Sequence, residues 1–128
     1  IEWGKTVELK LENEKIKGQI KIIKISEDDN PTTGDKANSP LENVEFEVYD
    51  VNGKIVDTLT TDEDGTALTK LLPKGTYIIK EKKSADGYLL DDNPYSVEIK
   101  NEGEIVEITL FNKSIPYIEI PKLPVTGY

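Results

Sequence analysis

Residues 103–112 read G-E-I-V-E-I-T-L-F-N, and the alternation in this stretch decides the fold class. In an extended strand every second side chain points to the same face, so Val106, Ile108, Leu110 and Asn112 share one side. Three aliphatic residues in that register mark the side as core-facing. The fourth is a carboxamide, and a buried carboxamide left without partners costs about 1–3 kcal/mol. The sequence therefore predicts a polar partner for Asn112 inside the core.

The same period of two runs through the preceding chain, punctuated by Gly, Pro, Asn and Asp. It predicts strands over 18–26, 44–49, 54–59, 67–71, 76–82 and 95–100, before the closing strand. Val44, Phe46 and Val48 face one side against Glu45 and Glu47, and Tyr95, Val97 and Ile99 alternate with Ser96, Glu98 and Lys100. Asn52-Gly53 is a strong two-residue hairpin signal between the second and third strands. A polar loop over 27–40 and an irregular segment around Tyr88 interrupt the pattern, and no window carries a helical stripe. Short strands with frequent turns predict an all-β protein, a seven-stranded Ig-like β-sandwich.

Composition bounds the chemistry. The 128 residues suffice for one domain with a core plus flanking segments. A net charge of −9 argues against nucleic acid as a partner. Cys, Met and His are absent from the sequence. That excludes disulfides, thiolate chemistry, Ser-His-Asp triads and His/Cys metal sites. Acidic residues at 27–30 and 62–65 lack the EF-hand spacing and read as solvated turns. No metal and no cofactor is expected.

The two ends differ from the body. Residues 4–13, G-K-T-V-E-L-K-L-E-N, repeat the pattern of 103–112 with Val7, Leu9, Leu11 and Asn13 in the matching places. Two copies of a closing strand at module-length spacing are the mark of a tandem array. Residues 1–15 are accordingly expected to be the closing strand of a preceding repeat plus a linker, within a longer protein, with an eighth strand of the same domain as the alternative. Residues 16–114 form the sandwich domain. Residues 115–128 are expected to form an extended spacer, since 113–128 carry three prolines.

Two further strands end an apolar face in a polar residue. Tyr77, Ile79 and Glu81 share a side, as do Ile20, Ile22 and Lys24. In the first strand Ile23 and Ile25 make the other face apolar as well, so periodicity leaves Lys21 and Lys24 both open as the inward lysine.

The chain resembles the Cna B-type, prealbumin-like domains of Gram-positive surface proteins and pilins. The likeness covers roughly 17–113 and rests on K-G-Q-I-K-I-I-K-I-S, P-L-E-N-V-E-F-E-V-Y-D-V-N-G-K, T-D-E-D-G-T-A-L-T-K-L-L-P-K-G-T-Y-I-I-K-E and V-E-I-T-L-F-N-K. Its most specific piece is Tyr77, Glu81, Gly87 and Tyr88; S-A-D-G-Y stands where the family usually has A-P-x-G-Y. Many such domains join a first-strand lysine to a last-strand Asn or Asp by an intramolecular isopeptide bond, assisted by an acid between them. The resemblance assigns these roles to Lys24, Asn112 and Glu81, favouring Lys24 over Lys21, and gives Asn13 the matching place in the preceding repeat.

Elementary chemistry is consistent with those roles. Burial disfavours charged forms, so moving a proton from a lysine to a carboxylate leaves a neutral amine and a neutral acid. The amine then attacks the Asn112 carbonyl, with Glu81 expected to polarise it and to relay protons to the departing ammonia. Such a reaction turns over once, so the protein is not expected to be an enzyme. A buried ion pair without a covalent bond is the alternative for the same three residues.

Leu123, Pro124, Val125, Thr126 and Gly127 match the L-P-x-T-G signal read by sortases. By resemblance, a sortase cleaves after Thr126 and joins it to a peptidoglycan or pilin amine. No V-Y-P-K shaft motif precedes it. The whole implies the stalk module of a secreted, cell-wall-anchored adhesin that touches adjacent repeats and holds a distal, host-matrix-binding region outward. Alternatives are a minor or basal pilin subunit, or a module that binds a host matrix ligand through Tyr88, Tyr95 or Tyr117.

Overall fold

The computed structural model describes residues 16–116. The expected strands form, with one addition. In chain order they are β1 (Lys17–Ser26), β2 (Glu45–Tyr49), β3 (Ile55–Thr60), β4 (Thr66–Leu68), β5 (Leu72–Pro73), β6 (Gly75–Lys83), β7 (Tyr95–Ile99) and β8 (Ile105–Asn112). The addition is β5, whose two residues are too few to show a period. Counting it, the sandwich has eight strands in two four-stranded sheets.

One sheet runs β3-β2-β6-β7, antiparallel throughout. In the other, β1 pairs antiparallel with β4 and β5 and parallel with β8. The parallel pairing is long, from Gln19 opposite Ile105 to Ser26 opposite Asn112. Parallel neighbours require a crossover, and here the other six strands intervene between the two. The first and last strands thus lie side by side and point the same way.

The inner faces pack as their alternation requires. Ile20, Ile22 and Leu110 meet Val44, Phe46, Val48, Ile79, Val97 and Ile99 from the facing sheet, all buried. Every second residue of β1 from Gly18 to Ser26 is buried, which turns Lys24 inward and Lys21 outward. Lys21 lies instead at the surface, 3.7 Å from Glu107. The ambiguity left by the sequence is resolved by register.

Two glycines hold this frame where no other residue fits without strain. Gly53, with φ of 82°, closes the β2–β3 hairpin, and Asp50 accepts bonds there from Asn52 and Lys54 backbone N–H groups. Gly65, with φ of 74°, lets its turn press against β1: a Cβ there would lie 2.6 Å from the Lys24 carbonyl oxygen. The Gly65 carbonyl in turn accepts the Lys24 N–H, and the Lys24 carbonyl accepts the Leu41 N–H. The backbone of the inward lysine is pinned on both sides.

Candidate functional site: a buried Lys–Glu–Asn cluster

Three strands deliver the cluster. Lys24 comes from β1 and Asn112 from the end of β8, while Glu81 reaches across from β6 in the facing sheet. Because Lys24 stands opposite Leu110, Asn112 is two residues further along the parallel partner and shares its face. Lys24 is 0% exposed, Asn112 1% and Glu81 7%. Burying such groups costs several kcal/mol unless they are paired. Each finds partners.

The Lys24 Nζ lies 2.8 Å from Glu81 Oε1. It also donates to the backbone carbonyl of Phe111 at 3.1 Å, one residue before Asn112. The Phe46 ring, which pairs across β2–β6 with Glu81, sits 5.7 Å from the same nitrogen, within the range of a cation–π contact. Oε1 is engaged by the lysine alone, whereas Oε2 accepts from the Asn112 Nδ2 at 3.0 Å and from the Asp91 backbone N–H at 3.1 Å. One carboxylate therefore holds the amine through one oxygen and the carboxamide through the other.

The carboxamide has both of its N–H groups occupied. Asn112 Nδ2 donates to Glu81 and, at 2.8 Å, to the Leu89 carbonyl. Asn112 Oδ1 accepts no bond. This departs from the expectation that Glu81 polarises the Asn112 carbonyl: the acid faces the nitrogen that would leave, not the oxygen. The geometry suits delivery of a proton to a leaving group.

The segment between β6 and β7, read in the sequence only as irregular, forms the outer wall of the cluster. Leu89 and Asp91 meet it through backbone groups, and the Asp91 carboxylate accepts from the Tyr95 hydroxyl and from the Asn93 N–H and Nδ2 groups. Burial works to raise Asp91, but the Tyr95 hydroxyl, Asn93 and the nearby Lys24 charge together hold its carboxyl below the usual range. The same hydrogen bond, with burial and the Asp91 charge, pushes Tyr95 up to about 12. The roles of Leu89 and Asp91 were missed in the sequence because backbone contacts leave no residue-type signature, and Tyr95, read there as a strand residue or ligand anchor, also bonds Asp91.

Tyr88, considered as an exposed ligand anchor, is instead buried, its hydroxyl 3.0 Å from both the Ser26 hydroxyl and the Asp35 carboxylate, which share its single proton. Asn13, Tyr117 and the L-P-V-T-G residues Leu123 to Gly127 lie outside the described residues.

The prealbumin-like fold domain family named SpaA matches residues 18–114. The chain belongs to this family. It is 33% identical over 79 residues to the trypsin-resistant surface T6 protein of Streptococcus pyogenes serotype M6, covering 62% of this chain and 15% of that protein. It is 30% identical over 93 residues to a collagen adhesin of Staphylococcus aureus, covering 67% of the chain and 7% of the adhesin. Among solved structures, the minor pilin GBS52 of Streptococcus agalactiae superposes with a TM-score of 0.66 at 26% identity, over 84% of this chain and 48% of the pilin. This prealbumin-like domain is thus of the type carried by Gram-positive pilins and surface adhesins, and it spans only a small part of the curated relatives it matches.

Proposed function

We propose that this domain is a load-bearing stalk module of a Gram-positive surface protein, locked by an isopeptide bond between Lys24 and Asn112. The observation that carries the proposal is the single buried carboxylate, Glu81, that contacts the amine at 2.8 Å and the carboxamide nitrogen at 3.0 Å.

The chemistry follows from that arrangement. Glu81 Oε1 takes a proton from the Lys24 ammonium and frees its lone pair. The Nζ–Cγ bond forms at Asn112, the Cγ–Nδ2 bond breaks, and the proton that the Glu81 carboxyl took up passes to Nδ2, which leaves as ammonia. Of the three ammonium protons, one stays on the new amide, one departs in ammonia and one is released through Glu81. Folding supplies the proximity that an amidation in water lacks. The reaction turns over once and makes the domain no enzyme.

The mechanical role follows from topology. In the described domain the chain enters at the start of β1 and leaves at the end of β8, at opposite ends of a parallel pair. Tension between them shears that pair. A Lys24–Asn112 bond would carry the load directly, leaving the residues between them unloaded. By analogy with disulfides, closing so long a loop would also stabilise the fold by about 4–5 kcal/mol.

In the same proposal the domain lies outside the cell, and the L-P-V-T-G signal is cleaved after Thr126 by a sortase for attachment to a wall or pilin amine. The likeness to a minor pilin over 84% of the chain supports a second reading, that of a pilin subunit with the same lock. Single-molecule pulling on the domain tests the stalk. The expected wild-type trace lacks the extension stored between residues 24 and 112, while Asn112→Ala releases it. Equal extension in both overturns the proposal.

A further inference from the structure

The inference concerns the wall of the cluster and rests on the cross-linking reading above. Residues between β6 and β7 supply two of the contacts that orient the reacting groups. The Leu89 carbonyl accepts from Asn112 Nδ2 at 2.8 Å, and the Asp91 N–H donates to Glu81 Oε2 at 3.1 Å. One strap thus grips both the leaving nitrogen and the proton carrier.

On its β7 side the strap is fixed by the side chain of Asp91. Its Oδ2 accepts from the hydroxyl of Tyr95, and its Oδ1 accepts from the Asn93 N–H at 3.1 Å and from Asn93 Nδ2 at 2.8 Å. Tyr95 is in turn anchored as the first residue of β7, opposite Ile79 of β6, two residues before Glu81. Leu89 is tied through both backbone groups: its N–H donates to the Lys113 carbonyl at 2.8 Å, just beyond Asn112, and its carbonyl also accepts from the Ser84 hydroxyl at 3.2 Å. Tyr88 anchors the start of the strap in the core, but the side chains of Leu89 and Leu90 are exposed, so apolar packing does not hold the stretch that reaches Glu81.

We propose that Asp91 is a positioning residue for the cross-linking step: clamped by Tyr95 and Asn93, it holds the strap at the distance where Leu89 and Asp91 backbone groups orient Asn112 and Glu81. Asp91 touches no reacting atom through its side chain. It acts on the rate at which the amide closes.

The test follows the intact mass of freshly synthesised full chain over time, alongside its folded fraction by circular dichroism. Asp91→Ala is expected to slow ammonia loss about ten- to a hundredfold, the scale on which small misplacements act. Tyr95→Phe, which removes only a hydroxyl, is expected to slow it by a smaller factor. Asp91→Asn keeps an acceptor for Tyr95 and is expected to recover part of the rate. Leu90→Ala, on the same strap but outside the clamp, is expected to match wild type. Wild-type closure rates in folded Asp91→Ala and Tyr95→Phe would overturn the inference. So would slowing no greater than the loss of folded protein, or equal slowing by Leu90→Ala. A folded wild-type chain that never loses ammonia would instead overturn the cross-link itself, and the inference with it.

Discussion

Of the three lysines on β1, Lys21 and Lys24 stand three residues apart, and each meets a glutamate. On the outer face Lys21 stands 3.7 Å from Glu107, with 40% and 56% of the side chains exposed. On the inner face Lys24 stands 2.8 Å from Glu81, with 0% and 2% exposed. The residue types are the same, but the surroundings are not. In water the outer pair gains little, because solvent and salt screen it. Inside the sandwich the inner pair has no solvent to fall back on, and its third partner, Asn112, offers a carbonyl to attack. Burial turns an ordinary ion pair into a candidate reactive centre.

The largest effect should come from breaking the inner pair. Glu81→Ala strands a buried ammonium, which costs about 3–5 kcal/mol even before any cross-link is lost. Thermal melting should show a large drop; a melting temperature near wild type would remove the contrast between the faces. Gly65→Ala should come next. Its Cβ would meet two backbone atoms, the Lys24 carbonyl oxygen at 2.6 Å and the Leu41 nitrogen at 3.0 Å, in a left-handed conformation. A loss of about 1–3 kcal/mol in denaturant unfolding is expected, and an unchanged midpoint would show that the turn does not hold Lys24 in place.

A pH titration sharpens the comparison on the inner side. Tyr95 is pushed from 10.0 up to about 12, first by its hydrogen bond to Asp91. A raised value means the folded protein holds that proton more tightly than the unfolded chain. The associated stability is fully present below pH 10 and is lost as pH rises through about 12. Ultraviolet titration should find Tyr95 among the late tyrosines, beside Tyr49 and Tyr77, which are also raised, and Asp91→Ala should return Tyr95 toward the ordinary range. The smallest effect belongs to the outer pair. Lys21→Ala or Glu107→Ala should change stability by no more than about 1 kcal/mol, and a loss as large as that of Glu81→Ala would contradict the contrast.

Much of this was legible in the sequence, for physical reasons. Asn112 announced itself because a strand's period is strict, and Val106, Ile108 and Leu110 left no choice of face. Glu81 was legible in the same way after Tyr77 and Ile79. Lys24 was not separable from Lys21 by pattern, because Ile23 and Ile25 make the outer face of β1 apolar too; these two are only half-buried. The family resemblance favoured Lys24, and the register agrees. The strap was illegible: Leu89 and Asp91 meet the cluster through backbone groups that any residue carries. Tyr88 misled because a tyrosine among turn residues reads as exposed, yet its hydroxyl is satisfied inside by Ser26 and Asp35.

The central claim is that the inner pair, unlike the outer one, ends as a covalent bond to Asn112. Intact-mass measurement on the folded chain tests it most directly. The expected wild-type mass is that of the sequence less one ammonia, with Glu81→Ala and Asn112→Ala at their full masses. A folded wild-type protein at its full sequence mass would contradict it.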